Sequence, residues 1–414
     1  MKKVIVVGGG ISGLFSAYYL VKEGYEVTVL DQTDMTSGAS YINAGYITPS
    51  HFIPLAAPGI ITQGLKWMLD SSSPFYIKPR WDMEFFKWAL LFKKSATVSK
   101  VKKAMPVLME LNLKSRDLYE EMLSAQNFDF HYERKGVLMA YCSDKAEEEE
   151  HEVAEQAIKK GLDVSVLTKE ALHEIQPVFS DKVKGAVHYK CDAHMTPHHF
   201  MQQLKDWLLS QGVRFRMGQK VEDVIVEGKK IVAMKTHNTV FEADGFVLAC
   251  GSWTSKLAST IGLNIPIQGG KGYSMDVNRP TGITLPTILV DARMAITPMD
   301  GFTRFAGTME FSGNNDTIQR ERVEALAKAV KAHYQNIEIL QAEKDRATSG
   351  LRPVSPDGLP YIGKTSKYSN LVIASGHAMM GWSLGPITGK LVAQEMANAQ
   401  PLIDLSPLSP DRFN

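Results

Sequence analysis

Apolar residues recur along the chain with two different periods, and the changes of period mark its elements. Val4-Ile5-Val6-Val7 is an unbroken β-branched run, the pattern of a strand buried on both faces of a parallel sheet. The glycine-rich run Gly8-Gly9-Gly10-Ile11-Ser12-Gly13 follows at once. From about Ser12 to Glu23 the apolar positions Leu14, Ala17, Tyr18 and Val21 fall at helical spacing, and Gly24 supplies a stop. Val27 to Leu30 predicts a second strand that ends at Asp31. Further buried strands are predicted at Gly245 to Cys250 and Asn370 to Ala374. Helical spacing returns at Ser99 to Gln126, Asp144 to Lys160, Pro197 to Gly212 and Thr317 to His333, and after Pro386. Shorter strands are expected at 136–141, 185–189, 213–216, 221–226, 231–236, 272–277 and 302–308.

Strand, glycine turn, helix, strand and acid in this register predict a dinucleotide site. Gly8 permits the tight turn, Gly10 lets backbone approach a pyrophosphate, and Gly13 lets helix pack on strand. The helix N-terminus offers N–H groups and a positive dipole end to phosphates. Asp31 stands where the ribose-binding acid belongs. Elements of the second kind interrupt this unit, so an α+β domain is expected to be threaded into it. The expected division is 1–50, 194–262 and 346–414 for the nucleotide domain, and 51–193 and 263–345 for the other.

At 414 residues the chain exceeds one ordinary core. Its 46 basic and 45 acidic residues leave a formal charge of +1, which gives no electrostatic footprint for nucleic acid. Cys142, Cys191 and Cys250 are odd in number and scattered, as suits a reducing compartment. The opening apolar run is broken by glycines and lacks the shape of a signal peptide. The expectation is a cytoplasmic protein. Residues 51–100 complicate it, because Trp67, Trp81, Phe86 and Trp88 alternate with Lys66, Lys78, Arg80, Lys87 and Lys93. That mixture suits either a helical core subdomain or a peripheral contact with the inner face of the membrane or with an electron-transfer partner.

Candidate chemistry is spread over five further stretches. Thr36 to Ile47 is rich in small and hydroxyl residues, and Ser40, Asn43, Ala44 and Gly45 could lie along the cofactor. Ala249, Gly251 and Trp253 end a buried strand at a second place where backbone can approach it. Gly350 to Gly363 holds so many turn formers that regular structure is not expected. Arg352 stands in this proline-rigidified stretch, suited to bidentate carboxylate recognition. Gly376, His377, Gly381, Trp382 and Ser383 form a glycine turn ahead of the last helix. That helix N-terminus would favour negative charge on a reduced cofactor. Cys191-Asp192-Ala193-His194-Met195-Thr196-Pro197-His198-His199 has metal-ligand composition, but Pro197 breaks its helical spacing. No metal is expected there; Thr196 is expected to cap a helix beginning at Pro197.

Taken together, these motifs resemble the FAD-dependent D-amino-acid oxidase superfamily, which includes glycine oxidase, sarcosine oxidase and the bacterial D-amino-acid dehydrogenases. The resemblance spans essentially the whole chain. Ser40 to Gly45, Lys271 to Ser274 and the insertion at 51–100 point to the dehydrogenases within it. It implies an α/β fold, with a Rossmann-like FAD-binding domain and an interleaved α+β substrate domain. FAD would be held by Gly8, Gly10, Ile11, Ser12, Gly13, Asp31, Gln32 and the later residues named above, with Val221 meeting the adenine region through its backbone. Sarcosine oxidases attach flavin to a C-terminal cysteine. None follows Cys250 here, so non-covalent FAD is implied.

Arg352 matches the arginine that grips the substrate carboxylate in glycine-oxidase-like members. Tyr273, Tyr46 and His377 are further pocket candidates. The implied reaction is oxidation of D-amino acids, or of cyclic D-imino acids of the D-proline or hydroxy-D-proline type, by hydride transfer to flavin N5. Electrons would pass to a quinone or another acceptor. An oxygen-using amine oxidase and a non-catalytic flavin-bound subunit are the competing readings. Which amino acid is used, which acceptor, and the oligomeric state are not legible in the residues.

Overall fold

The computed structural model describes residues 1–59, 73, 75–126, 128 and 130–414. Its first sheet runs in the order Tyr361–Lys364, Leu371–Ser375, Gly245–Leu248, Lys3–Val7, Glu26–Leu30, Arg214–Arg216. Neighbours are parallel except for the antiparallel edge pair Tyr361–Lys364 and Leu371–Ser375. The opening strand is apolar at successive positions because both faces are covered. Val4 and Val6 pack with Leu14, Phe15, Phe200 and Val392 of the helices Ile11–Lys22, Pro197–Ser210 and Gly385–Ala397. Ile5 and Val7 face the other way, onto Leu257, Ile261 and the three-stranded sheet bearing Val224, Ile231 and Met234. Each such fully buried aliphatic side chain contributes about 1.5–3 kcal/mol.

Two close backbone contacts set this layer. A Cβ on Gly13 would lie 1.8 Å from the Gly8 carbonyl oxygen, and one on Gly389 would lie 2.3 Å from that of Phe15. The first lets the opening helix sit on its strand. The second lets the last helix of the chain sit on the first.

The second sheet runs Thr348–Val354, Gln268–Val277, Phe302–Phe311, Met294–Met299, Thr287–Leu289, Val137–Tyr141, Gly185–Tyr189, Val164–Thr168. Its pairs are antiparallel except where Thr287–Leu289 meets Val137–Tyr141 and where Phe75–Ile77 joins Phe302–Phe311. The helix Arg320–His333 covers it through Val323, Leu326 and Val330. This is the expected α/β architecture with an interleaved second unit.

Four local expectations change. The stretch from Gly350 is regular after all: Thr348–Val354 pairs with Gln268–Val277 at the rim of the second sheet. Pro353 is tolerated there because an edge strand has no second neighbour demanding its N–H. Phe75–Ile77 is a strand inside the expected helical insertion, paired with Met309 to Phe311. Val164–Thr168 is an edge strand absent from the sequence reading. Thr196 precedes the helix at Pro197 without capping it, because its hydroxyl is engaged by His131 Nδ1 and the Asp300 amide. Within 51–100, Asp82 caps the helix Met83–Ser95 by accepting the Phe85 amide at 3.0 Å. Trp67, Lys66 and their neighbours lie outside the described residues.

The glycine contacts generate a test. Gly24, unlike Gly13, has positive φ, and its Cβ would meet nothing within 4 Å. Thermal denaturation should show Gly24→Ala costing about 1 kcal/mol of left-handed backbone strain. Gly13→Ala should cost more than that and release cofactor, because backbone cannot yield to the new methyl. Equal effects would contradict the packing account.

Candidate active site

One continuous cavity of about 1510 Å³ runs between the two sheets. That exceeds the roughly 300–1,000 Å³ of ordinary small-ligand sites and leaves room for a dinucleotide and a substrate together.

The end on the first sheet is built by the opening motif. Gly8 turns with φ +107°, and a Cβ there would strike the Ala249 carbonyl oxygen at 2.4 Å. The helix that follows has Gly10 as N-cap and no side-chain cap. Asp31 Oδ2 accepts the Gly9 amide at 2.7 Å, and Oδ1 accepts both the amide and the hydroxyl of Thr33 at 2.7 Å. Those bonds fix the acid at the strand end. Gly10, Ile11, Ser12, Gln32, Val221, Ala249, Gly251 and Trp253 line the same space. Gly13 does not reach it; its part is the helix–strand contact.

The middle of the cavity is walled by Ser37 to Ala44, an irregular segment with few apolar side chains to hold it. Polar bonds do so instead. Ser40 Oγ accepts the Ile11 amide at 3.0 Å. Arg304, 5 % exposed, forks onto Asp276 with two 2.8 Å bonds and donates its third nitrogen to the Tyr41 and Asn43 carbonyls, both at 2.9 Å. Thr297 donates to the Ala44 carbonyl at 2.7 Å. The Tyr46 hydroxyl lies 2.9 and 2.8 Å from the Thr287 and Ile296 carbonyls. Ser40, Asn43 and Ala44 line the cavity, whereas Gly45 turns against the Met195 carbonyl beside it.

The far end combines the closing turn with the rim of the second sheet. Trp382 and Ser383 line it and are held by the long helix Val98–Gln126. Tyr119 donates to the Trp382 carbonyl at 2.8 Å, and Ser383 donates to Asn112 Oδ1 at 2.7 Å. The indole Nε1 of Trp382 is buried without a partner among the described residues. Gly381 lines the cavity, while Gly376, φ +80°, turns against the Tyr361 ring.

Arg352 projects from the rim strand into this end. Its guanidinium has one partner among the described residues, the Thr308 carbonyl at 2.7 Å. Among the described residues no carboxylate lies within ion-pair distance. Burial without a counter-ion pulls its pKa down to about 10, so it stays cationic near neutrality. A Cβ on Gly272 would fall 2.2 Å from the guanidinium, so the absence of a side chain there makes its seat. Thr308 occupies left-handed backbone, φ +67°, which is a genuine outlier for a β-branched residue. It sits opposite a register shift between Lys271 and Tyr273. Bulges of this kind re-aim side chains beside sites. Its hydroxyl is buried on the cavity wall, with no partner among the described residues.

Two other candidates are differently engaged. The Tyr273 ring is buried, and its hydroxyl is given to Glu310 at 2.6 Å, within a cluster that includes Lys271 and Arg322. His377 Nε2 lies 2.9 Å from Thr388 Oγ1, which donates its one proton to the Leu384 carbonyl at 2.7 Å. The histidine is therefore the donor in that contact. Burial drops its pKa to about 3 and keeps it neutral. Cys250, beside the dinucleotide end, is raised to about 12 by burial and donates to the Val7 carbonyl.

The sequence reading overlooked Arg304, Thr308, and the line Asp192–Ser50–His51, whose histidine lines the cavity. Arg304 left a signal, a lone cation inside the strand pattern Phe302-Thr303-Arg304-Phe305. Thr308 left none. Asp192 was hidden in the metal-like run. Among the described residues no group of three or more His, Cys, Asp and Glu could hold a metal ion.

The FAD-dependent oxidoreductase family, DAO, matches this chain over residues 3–395. The D-amino acid dehydrogenase of Helicobacter pylori is 30% identical over 394 residues, covering 95% of this chain and 94% of that protein. The D-amino acid dehydrogenase of Neisseria meningitidis serogroup C is 30% identical over 423 residues, covering 99% of each. Among solved structures, glycine oxidase from Geobacillus kaustophilus superposes with a TM-score of 0.79 at 22% identity over 100% of both chains. L-proline dehydrogenase from P. horikoshii gives 0.73 at 18% identity, over 100% of this chain and 97% of that one. The chain belongs to the FAD-dependent oxidoreductase family and is an FAD-using enzyme of that type.

The residues present fit that cofactor. The glycine cradle and the uncapped helix suit its pyrophosphate, and Asp31 suits its ribose. The orphaned Trp382 Nε1 offers a donor at the other end. Replacing Arg304 with lysine removes the fork that holds the middle wall. Arg304→Lys should therefore lose FAD on desalting far more readily than the parent does. Full retention would contradict the clamp.

Proposed function

We propose that this member of the FAD-dependent oxidoreductase family oxidises D-amino acids or cyclic D-imino acids at the carbon–nitrogen bond and passes the electrons to a quinone or another acceptor. The observation that carries the reading is Arg352: a half-buried guanidinium with no carboxylate at ion-pair distance among the described residues, facing the cavity from the rim strand. Such a group suits a planar carboxylate in bidentate contact. The names of the relatives from Helicobacter and Neisseria support the D-amino acid and the dehydrogenase parts.

FAD, when bound, supplies the two-electron acceptor that turns the amine into an imine. It is held without a covalent bond in this reading, since Cys250 is turned onto the Val7 carbonyl. The part of this chain is to bind, orient and dry the substrate. Arg352 holds the carboxylate, the Thr308 carbonyl aims the guanidinium, and Gly272 gives it room. Trp382 and Met309 on the same walls exclude water. The residues of the first sheet, in 1–50, 194–262 and 346–414, form the FAD-binding half. Those in 51–193 and 263–345 form the substrate half, with the rim strand of Arg352 crossing over to it.

The helix Met83–Ser95 supports the acceptor part. Trp81 is 89 % exposed and Leu90 61 %, with Met83 and Phe86 also exposed and Lys87, Lys93 and Lys94 beside them. Aromatic and basic groups together suit a membrane surface or an electron-transfer partner. Among the described residues no helix is long and apolar enough to cross a membrane.

Arg352→Lys should raise KM for carboxylate substrates by about tenfold to a hundredfold, because a point charge replaces a bidentate fork. Unchanged KM and kcat would overturn the carboxylate assignment. Replacing Trp81, Phe86 and Leu90 together with serine should abolish quinone-linked turnover with lipid vesicles while sparing turnover with a soluble dye. Equal loss of both would contradict the docking role, and abundant hydrogen peroxide from the parent under air would favour an oxidase.

A further inference from the structure

Asp192 is fully buried between the two sheets. One carboxylate oxygen accepts the Ser50 amide at 3.0 Å and the Cys191 thiol at 3.4 Å, and the other accepts the Ser50 hydroxyl at 2.5 Å. A hydroxyl has one proton to give. Burial raises the Asp192 pKa to about 7. Once the carboxylate is ionised Ser50 gives its proton to it, and the 3.0 Å contact with His51 then has Nδ1–H as the donor. In the neutral ring the lone pair is then on Nε2. The imidazole is part-exposed on the cavity wall, and among the described residues nothing binds Nε2.

We infer that His51 is the amine-binding residue of this site: its Nε2 accepts an N–H of the substrate while Arg352 holds the carboxylate. Ser50 and Asp192 are its positioning residues, fixing the tautomer. The inference rests on the proposed amino-acid chemistry.

Position supports it. Leu55, four residues on, packs in one cluster with Met309, Val354 and Ala378. Met309 and Ala378 adjoin Thr308 and His377 in sequence and Val354 is two residues from Arg352, so this segment lies against the walls that carry the guanidinium. The Thr48 amide, bonded to Ser383 at 3.1 Å, ties the same segment to the closing turn. Chemistry supports it too. Loss of the Cα hydrogen as hydride needs a nitrogen lone pair, so the productive form is the neutral amine. A primary amine in that form has two N–H bonds and a ring amine such as proline has one, so either can donate to His51 and keep its lone pair.

The other cavity histidine fits this role less well. His377 is almost wholly buried, and its Nε2–H leads through Thr388 to the Leu384 carbonyl, with no carboxylate behind it. The hydroxyl of Tyr46 lies against two carbonyls, and that of Tyr273 is given to Glu310. Desolvation keeps His51 neutral, near a pKa of about 4, and its tautomer is fixed where Asp192 is ionised, above a pKa of about 7.

Pyrrole-2-carboxylate and 2-furoate provide the test, because they share shape and carboxylate and differ by N–H against oxygen. Their binding to the FAD-loaded enzyme is followed by perturbation of the flavin spectrum. The parent should prefer the pyrrole by roughly tenfold to a hundredfold, the usual effect of one buried hydrogen bond made or lost. His51→Leu should bring the two to equal affinity. His51→Gln, which keeps an acceptor, should restore part of the preference, and Ser50→Ala should give an intermediate value. An unchanged preference in His51→Leu, or in Ser50→Ala should the leucine variant not fold, overturns the assignment. Equal binding of both acids by the parent overturns it while leaving the carboxylate reading intact. Binding of neither acid overturns both readings.

Discussion

A half-buried guanidinium whose one partner among the described residues is a carbonyl is costly to desolvate, and the arrangement makes sense when an anion completes it. Much of the surrounding backbone serves that placement. The rim strand carrying Arg352 tolerates Pro353 because it has one neighbour. Gly272 on that neighbour has no side chain because the guanidinium occupies the place where a Cβ would be. The next strand holds a left-handed threonine, and its carbonyl takes the guanidinium's hydrogen bond. A bulge, a glycine and a strained residue in adjacent strands together set the position of the guanidinium.

The cavity depends equally on how the two sheets are tied. The segment from Ser40 to Tyr46 has little regular structure. It is secured at one end by Ser40 to the opening helix and along its length by Arg304, Thr297 and Tyr46 to the second sheet. At the far end Tyr119 and Asn112 of the long helix grip the closing turn. Gly389 against Phe15 brings that turn's helix onto the first one. The two ends of the chain thus share one core.

The parts legible in the sequence are those whose physics is local. Val4 to Asp31 could be read because an unbroken apolar run, three glycines and an acid have one economical arrangement. Gly376 to the last helix was legible for the same reason. Arg352 was found, but its strand was not: prolines and glycines read as turn, and only the pairing across Gln268 to Val354 reveals an edge. Thr308 gave no signal, because its backbone angle is imposed by a register shift between distant strands. His51 was passed over inside a proline-broken apolar stretch. Its orientation depends on Asp192, 141 residues later, and no local pattern joins them.

The central claim is that this FAD enzyme binds its substrate by the carboxylate and takes electrons from the carbon–nitrogen bond. Anaerobic mixing of the FAD-loaded protein with D-proline, D-alanine, glycine and sarcosine, and with the carboxamide of each, tests it most directly. The account predicts that at least one D-amino acid bleaches the oxidised-flavin absorbance and that its carboxamide, presenting no anion to Arg352, does so far more slowly. Bleaching by acid and carboxamide at equal rates, or by none of the acids, would contradict it.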